Sequence, residues 1–187
     1  MNHSPTHFNG LARALHWLMA VAILAMLFIG AGMMTSLTWR PWLIDLHQPL
    51  GIAILLLALL RLANRLLRPV PELPSHLPRW QVSAALASHW LLYLLMICLP
   101  LLGWAVRSAG NWPVTLTPGW YLPAIVAPNS TLYAWLRLAH GVLAWLLFVV
   151  ILGHLGAALV HAWIHRDGVF SSMARGQKKA EVEAQGW

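Results

Sequence analysis

The chain has 187 residues, of which 59% are hydrophobic and only 9% are charged, and its mean hydropathy is +0.66. Soluble domains carry about 25% charged residues, so this composition excludes a soluble globular protein and predicts an integral membrane protein. The formal net charge of +7 does not indicate a nucleic-acid-binding protein, because most of the excess basic residues lie on one side of the apolar segments.

Four apolar segments follow one another along the chain, and each reaches the roughly 20 residues that a membrane helix needs. They cover residues 13–36, 47–68, 81–106 and 132–164. Because they take up most of residues 1–187, they leave no room for a soluble catalytic domain. We therefore predict a single all-α domain, an integral membrane four-helix bundle.

The first two segments carry recognisable start signals. Arg13 precedes the first apolar run, but the run is longer than a usual signal-peptide core and has no obvious small-residue cleavage site, so we expect it to be retained. The second segment should begin at His47, because Asp45 and Gln48 have the spacing of a capping box. Pro49 would then fall in the first helical turn, where proline is tolerated.

Basic residues are distributed unequally between the two sides of the predicted bundle. The connections 37–46 and 107–131 carry only Arg40 and Arg107, whereas the other side holds Arg13, Arg61, Arg65, Arg68, Arg79, Arg166, Arg175, Lys178 and Lys179. Cytoplasmic loops are enriched in Lys and Arg, so both termini and the connection between the second and third segments are predicted to be cytoplasmic. The proline-rich connection 107–131 should form an ordered cap over the outer end.

Two histidines, His140 and His154, lie fourteen residues apart within the fourth segment. Fourteen helical residues rise about 21 Å and end about 40° from the starting direction, so both imidazoles should face the same side. They would lie near opposite faces of a hydrocarbon core roughly 30 Å thick. A titratable ring at this depth is costly without a function, and the spacing therefore predicts two metal centres stacked across the membrane.

Each of these histidines has a partner at the same predicted depth. His47 matches His140 on the outer side, and His16 matches His154 on the inner side. A haem b needs only axial ligands from the protein, so four histidines would hold two haems, without a Cys-x-x-Cys-His motif for covalent attachment. The alternatives are interfacial histidines without a ligand role and a histidine-lined carrier for a metal ion.

Glycines near the predicted ligands are candidates for making space for a flat macrocycle. Gly51 lies one turn after His47, and Gly141 and Gly153 each adjoin a predicted ligand of the fourth segment. Ordinary close packing of helices is the alternative explanation for each of them.

Three further residues are candidates for binding a cofactor or substrate at the inner side. Arg61 is the deepest of three arginines on one helical face and would either anchor the helix or pair with a haem propionate or a quinone oxygen. His89 and His161 lie at the inner depth, where they could donate hydrogen bonds to a quinone carbonyl and relay protons.

With these motifs in this order, the chain resembles the bacterial cytochrome b561 family of four-helix di-haem membrane proteins, from about residue 11 to residue 173. The motifs are Leu15-His16-Trp17, His47-x-x-x-Gly51-Ile52, Arg61-Leu62-x-x-Arg65, Ser88-His89-x-x-x-Tyr93, Leu99-Pro100-Leu101-Leu102-Gly103, His140-Gly141, His154-x-x-x-Ala158 with His161, and Arg166-Asp167-Gly168. The resemblance implies His16 with His154 and His47 with His140 as haem pairs, in a multi-pass protein of the bacterial inner membrane. The chain is also similar to the cytochrome b subunits of membrane hydrogenases and formate dehydrogenases.

These features lead to a functional hypothesis of electron transfer from a periplasmic donor to ubiquinone or another quinone. Arg40, Arg107 and Arg137 could attract a small anionic donor such as superoxide to the outer mouth. The resemblance to the family implies that the protein could be a superoxide:quinone oxidoreductase. One alternative is a haem subunit that docks on a periplasmic redox protein through the connection 107–131. The other is the metal carrier. Membrane lipid is an expected partner and nucleic acid is not.

Overall fold

A computed structural model of the protein describes residues 7–71, 74 and 77–174. Its long helices are α1 (Gly10–Thr35), α2 (Arg40–Leu67), α3 (Arg79–Ala109) and α4 (Ser130–Val160). A hairpin of β1 (Val114–Thr117) and β2 (Trp120–Leu122) separates α3 from α4, and a π-helical segment (His161–His165) and a short α5 (Val169–Ala174) follow. All four long helices are apolar and long enough to cross a membrane, which confirms the predicted four-helix bundle.

The start of α2 differs from the sequence prediction. The helix begins at Arg40 rather than at His47, because Pro41 lies in its first turn, where the missing N–H costs no hydrogen bond. Pro49 consequently lies inside the helix and not in its first turn. Membrane helices tolerate such prolines, since neighbouring groups satisfy the freed carbonyl. His47 is therefore held within a continuous helix instead of at a fraying end.

Packing follows chain order: α1 lies along α2, α2 against α3, and α3 along α4. Among the described residues, the backbone of α4 has few close approaches to the backbone of α1 or to that of α2. The core between the helices consists of Met19, Ile23, Ile54, Ala58, Tyr93, Leu95, Met96, Leu99 and Leu147. Leu147 is the buried residue of α4, midway along the chain between His140 and His154. The other faces of the helices expose large apolar side chains, as a lipid-facing surface requires.

The predicted cap between α3 and α4 is built around the β-hairpin. The two strands pair antiparallel, and the turn between them uses Gly119 at φ 85°, a conformation that favours glycine. The backbone N–H of Thr115 donates to Oε1 of Gln48 on α2 at 3.0 Å, and Nε1 of Trp104 on α3 donates to the carbonyl of Pro123 at 2.9 Å. Gln48 thus ties the hairpin to α2 and does not cap that helix. We call this the hairpin end of the bundle.

The opposite end is where α1 begins and α4 finishes, and we call it the terminal end. Asn9 caps α1 by accepting a hydrogen bond from the N–H of Ala12 at 2.8 Å. The backbone N–H of Phe8 donates to the carbonyl of Ser172 at 3.2 Å, so the two ends of the described chain meet here. The predicted cytoplasmic location of this end stays a prediction, and its basic residues Arg175, Lys178 and Lys179 lie outside the described residues.

Candidate functional site

Two histidine rings face each other at the hairpin end. His47 of α2 and His140 of α4 have ring centroids 6.1 Å apart, with an angle of 63° between the ring planes. Both side chains are half-buried. Nδ1 of each ring is buried without a hydrogen-bond partner within the described part of the chain. Buried polar atoms usually have a partner. In His140 this nitrogen lies on the side of α3, since a Cβ at Gly103 would be 3.6 Å from it.

A group of three histidines lies at the terminal end. His16 of α1 and His154 of α4 have ring centroids 6.4 Å apart at 68°. His89 of α3 lies on the other side of the group, 5.5 Å from His154. All three side chains are half-buried. The four predicted ligands thus meet as the two pairs that depth predicts, one pair at each end, and their role as ligands stays a prediction.

The ring separations discriminate between these contacts. An imidazole nitrogen binds a first-row metal at roughly 2 Å, so two imidazoles on opposite sides of one iron have centroids roughly 6 Å apart. The values for His47 with His140 and for His16 with His154 fit this separation, whereas the 5.5 Å between His89 and His154 is shorter. His89 therefore fits a place beside the pair better than a place on the same iron.

The arrangement of helices suits a cofactor between α4 and the pair α1 and α2. In the described chain the backbone of α4 lies apart from those of α1 and α2. Facing imidazoles span this gap at both ends, from α1 to α4 at one end and from α2 to α4 at the other. The described residues contain no group of three or more His, Cys, Asp or Glu side chains placed to hold a metal ion. Donors in facing pairs suit a macrocycle that supplies the other four ligands itself.

The glycine that makes room for a histidine is one that the sequence argument did not single out for this purpose. A Cβ at Gly103 of α3 would lie 3.3 Å from Cε1 of His140, which is tighter than nine in ten real Cβ contacts. At Gly51 a Cβ would meet only Met26 at 3.7 Å, an ordinary packing distance, and Gly141 and Gly153 have nothing within 4 Å. Their place beside a macrocycle stays a prediction. Gly103 forms part of the family motif, but its contact depends on the packing of α3 against α4.

The arginines near the end of α2 have contacts within the bundle. Nη1 of Arg61 donates to the carbonyl of Ala12 on α1 at 3.1 Å. The guanidinium of Arg65 lies over the rings of Trp90 and Tyr93, at 5.7 Å and 6.0 Å from their centroids, within the range of cation–π attraction. Arg61 is thus held at the terminal end near the histidines, and its pairing with a propionate or quinone stays a prediction.

His161 has a partner that the sequence argument missed. Its Nδ1 lies 2.6 Å from Oδ2 of Asp167, whose side chain is only 3% exposed. Burial alone would raise the pKa of the Asp167 carboxyl, but hydrogen bonds from His161 and from the backbone N–H of Val169 outweigh it and lower the pKa below its ordinary value. The family motif containing Asp167 was the available signal, and it does not say which side chain the carboxylate meets.

The hairpin end carries positive charge. The guanidinium of Arg107 lies 5.5 Å from the ring of Trp112 and donates from Nη2 to the carbonyl of Pro113 at 3.1 Å. Arg137 lies exposed along α4 with Tyr133 and Trp145, in an open groove of the helix surface. Arg107 lies near the end of α3, and Arg137 lies on the half of α4 that carries His140, so both cations are at the hairpin end.

Comparison with known proteins agrees with this architecture. A family model described as prokaryotic cytochrome b561 matches residues 7–176. The chain is 29% identical over 176 residues to "Cytochrome b561 homolog 2" of Escherichia coli (strain K12), an alignment that covers 91% of this chain and 93% of that protein. It is 31% identical over 168 residues to "Cytochrome b561 homolog 1" of the same organism, with 85% and 92% covered.

A third relative carries a more specific name. The chain is 30% identical over 169 residues to "Probable superoxide oxidase CybB" of Yersinia pestis, which covers 89% of this chain and 94% of that protein. The family match spans all four membrane helices and both histidine pairs. The chain therefore belongs to the prokaryotic cytochrome b561 family, as a multi-pass, haem b-binding membrane cytochrome of electron transfer.

Proposed function

We propose that this protein binds two haem b groups, one between His47 and His140 and one between His16 and His154, and carries electrons across the bacterial inner membrane to a quinone. The observation that carries the proposal is the separation of 6.1 Å and 6.4 Å between facing rings at opposite ends of the bundle. When bound, the haems would supply two one-electron redox centres, one near each membrane surface.

The side chains between the two pairs define the environment of these centres. His140 and His154 are separated by fourteen residues of α4, which corresponds to about 21 Å along the helix. Leu147, midway between them, packs into the apolar core with residues of the other three helices. An apolar core therefore separates the two histidine pairs.

A small anion is the donor that the hairpin end favours. The guanidinium of Arg107 and the exposed side chain of Arg137 place positive charge at that end, and Arg40 begins α2 there. Such charge raises the local concentration of small anions. One relative is named a probable superoxide oxidase. We therefore take superoxide as the donor, each molecule giving one electron and leaving as dioxygen.

The terminal end is the side at which we place quinone reduction. A quinone needs two electrons and two protons to become a quinol, so two superoxide anions are oxidised for each quinone. His89 lies 5.5 Å from His154 and can donate a hydrogen bond to a quinone carbonyl there. His161, held by Asp167, is the second candidate donor. Arg61 adds positive charge where electron density builds up on the quinone oxygens.

Stopped-flow spectroscopy of detergent-purified protein tests the proposal. Potassium superoxide should reduce the cytochrome within the mixing time, and a short-chain ubiquinone should reoxidise it with two superoxide anions consumed per quinol formed. Haem analysis should give two haem b per chain. One haem per chain would contradict the pairing, and a cytochrome that superoxide does not reduce would contradict the donor. Failure of the quinone to reoxidise it would contradict the acceptor.

Docking on a periplasmic redox protein is a second candidate function, favoured by the aromatic side chains that the hairpin exposes. Trp120 and Tyr121 of β2 are 69% and 56% exposed, and such residues are enriched at protein interfaces. Aromatic residues also anchor membrane proteins at the bilayer surface, so co-purification decides. A large partner retained at stoichiometric ratio from native membranes would favour docking over a self-sufficient oxidase.

A further inference from the structure

The backbone after α4 turns back, so that the side chain of Asp167 contacts the ring of His161. The helix widens into the π-helical segment His161–His165, and the N–H of Arg166 donates to the carbonyl of His161 at 2.8 Å. Arg166 has φ 53°, a left-handed conformation that is uncommon for a residue with a side chain. Backbone in such a conformation persists only where the surrounding contacts hold it. Here the contact that it makes possible is the one between Asp167 and His161.

Both carboxylate oxygens of Asp167 have partners in the structure. Oδ2 lies 2.6 Å from Nδ1 of His161, and Oδ1 accepts the backbone N–H of Val169 at 3.2 Å. The contact with His161 is also the sole ion pair found among the described residues. The carboxylate side chain is 3% exposed and the histidine side chain 19% exposed, so water competes little for this bond.

The short contact determines the tautomer of the histidine. An ionised carboxylate can only accept hydrogen bonds, so Nδ1 of His161 must carry the hydrogen that it donates to Asp167. Nε2 is then the nitrogen left to exchange a proton with a second group. A carboxylate in this position also stabilises the ring when Nε2 is protonated.

The location of this pair relates it to the histidine group at the terminal end. His161 lies seven residues, or almost two helical turns, beyond His154, so both lie on the same side of α4. The adjacent His165 ring has its centroid 5.3 Å from that of His161, and His165 is exposed. The pair therefore lies between the histidine group of the bundle and the surface of the protein.

We propose that Asp167 is a positioning residue that holds His161 with Nε2 available to deliver a proton to a quinone oxygen at the terminal end; this inference rests on the proposed function. As the quinone takes up two electrons from superoxide oxidation, Nε2–H of the protonated His161 gives its proton to one carbonyl oxygen, and an O–H bond replaces the N–H bond. The ring recovers its proton from the aqueous side. The second proton of the quinol comes from another donor, for which His89 is the candidate.

A purely structural role for Asp167 is the competing explanation, because its Oδ1 also supports the start of α5. A double-mutant cycle separates the two. The variants are Asp167→Ala, His161→Ala and both together, and the control is Ser172→Ala, which removes a hydrogen bond to the carbonyl of Val169 without touching His161. The measurement is the rate at which a short-chain ubiquinone reoxidises the dithionite-reduced protein, with haem content verified by its optical spectrum.

If Asp167 acts through His161, each single variant lowers the rate about tenfold to hundredfold, and the double variant is no slower than His161→Ala. Ser172→Ala stays within about twofold of the wild type. The proposal is overturned if Asp167→Ala keeps the wild-type rate while His161→Ala loses it. It is also overturned if Asp167→Ala slows the reaction further when His161 is already absent.

A second measurement does not depend on quinone chemistry. Nitrogen-15 NMR of histidine-labelled protein in the reduced, diamagnetic state should show the Nδ1–H tautomer for His161, assigned by the signal that His161→Ala removes. Asp167→Ala should convert this signal to the ordinary mixture of tautomers. An Nε2–H tautomer in the wild type overturns the proposal. A wild type that quinone does not reoxidise would refute the proposed function, and the NMR result would then decide alone whether Asp167 holds His161.

Discussion

At the scale of single residues, the four facing imidazoles carry most of the functional argument. Their Cα atoms lie on three helices, and each ring approaches one partner at the separation that a shared iron needs. Loss of one imidazole should remove one iron site and leave the other, because the two pairs lie about 21 Å apart along α4 and share no side chain.

We expect His47→Ala to lower the haem content from two to one per chain. The remaining haem should keep the spectrum of the terminal-end site, since His16 and His154 are unchanged. Haem content and redox titration of the purified variant measure this. His165→Ala, which alters an exposed histidine outside both pairs, is the control and should keep two haems. Retention of both haems by His47→Ala would refute the assignment of this ligand.

Gly103 provides a second test at the residue scale. A side chain there would press on the ring of His140, since even a Cβ would lie 3.3 Å from Cε1. Overpacking of a close contact costs about 1–3 kcal/mol, so Gly103→Val should weaken haem binding at the hairpin end about tenfold or more. Haem content under limiting haem supply measures the effect. The matched control is Gly156→Val on α4, where a Cβ would have nothing within 4 Å, and it should bind haem as the wild type does.

At the scale of elements, hydrogen bonds between distant segments tie each end of the described bundle together. The hairpin is tied to α2 through Gln48 and Thr115, and the segment after α4 is tied to the start of α1 through Phe8 and Ser172. Asp167 joins the π-helical segment to α5, because one oxygen meets His161 and the other accepts the N–H of Val169. These ties position the ends of α2 and α4, where the candidate residues lie.

The two hydrogen bonds of the Asp167 carboxylate should make the free energy of unfolding depend on pH. The pKa of Asp167 is lower in the folded protein than its ordinary value, which is about 4. Its contribution is therefore fully present above about pH 4 and is lost as the pH falls through the lowered pKa. We expect Asp167→Asn to lower the unfolding temperature by a few degrees at pH 7, as for a loss of about 1 kcal/mol.

Thermal unfolding followed by tryptophan fluorescence in detergent measures this difference over a pH series. The gap between the wild type and Asp167→Asn should begin to narrow below about pH 4 and should close once the pH passes the lowered pKa of Asp167, where both side chains are neutral. Asp45→Asn, at an exposed position near the hairpin end, is the control for carboxylates in general. A gap that persists at low pH would show that the charge of Asp167 does not contribute.

At the scale of the whole molecule, the two ends of the bundle differ in a way that fits vectorial electron transfer. The hairpin end has two histidines beneath a compact cap, and the terminal end has three histidines with Arg61 and Arg65 near them. In the proposed function, electrons enter at the hairpin end and protons are consumed at the terminal end, so the bundle must have a defined orientation in the membrane.

The orientation can be measured with topology reporters. Alkaline phosphatase is active only in the periplasm, so an insertion at the exposed turn residue Gly119 should be active and a fusion after Trp187 inactive. A fluorescent protein that matures only in the cytoplasm should give the opposite pattern. Activity of the C-terminal phosphatase fusion would reverse the predicted topology, and it would move the proposed superoxide and quinone sites to opposite compartments.

Local periodicity explains how much of this architecture the chain reveals before folding is considered. Apolar segments of sufficient length define four helices, and a fourteen-residue interval places His140 and His154 on one side of α4 whatever surrounds it. Depth in a bilayer then limits the partners of each histidine, because every membrane helix crosses the same thickness. The predicted start of α2 failed because Pro41 begins the helix and the membrane tolerates Pro49 within it.

Contacts between residues far apart in the chain needed the packed bundle. The meeting of Gly103 with His140, and of His89 with His154, depends on the rotation and separation of α3 and α4, which side-chain packing sets and helical period does not. The return of Asp167 to His161 depends on a π-helical segment and a left-handed Arg166, conformations that the surrounding contacts stabilise against the local preference of the backbone. The helical period acts within one helix, and the bilayer thickness is the same for every helix, so both can be applied to the sequence. The contacts between helices arise only when the helices are packed together.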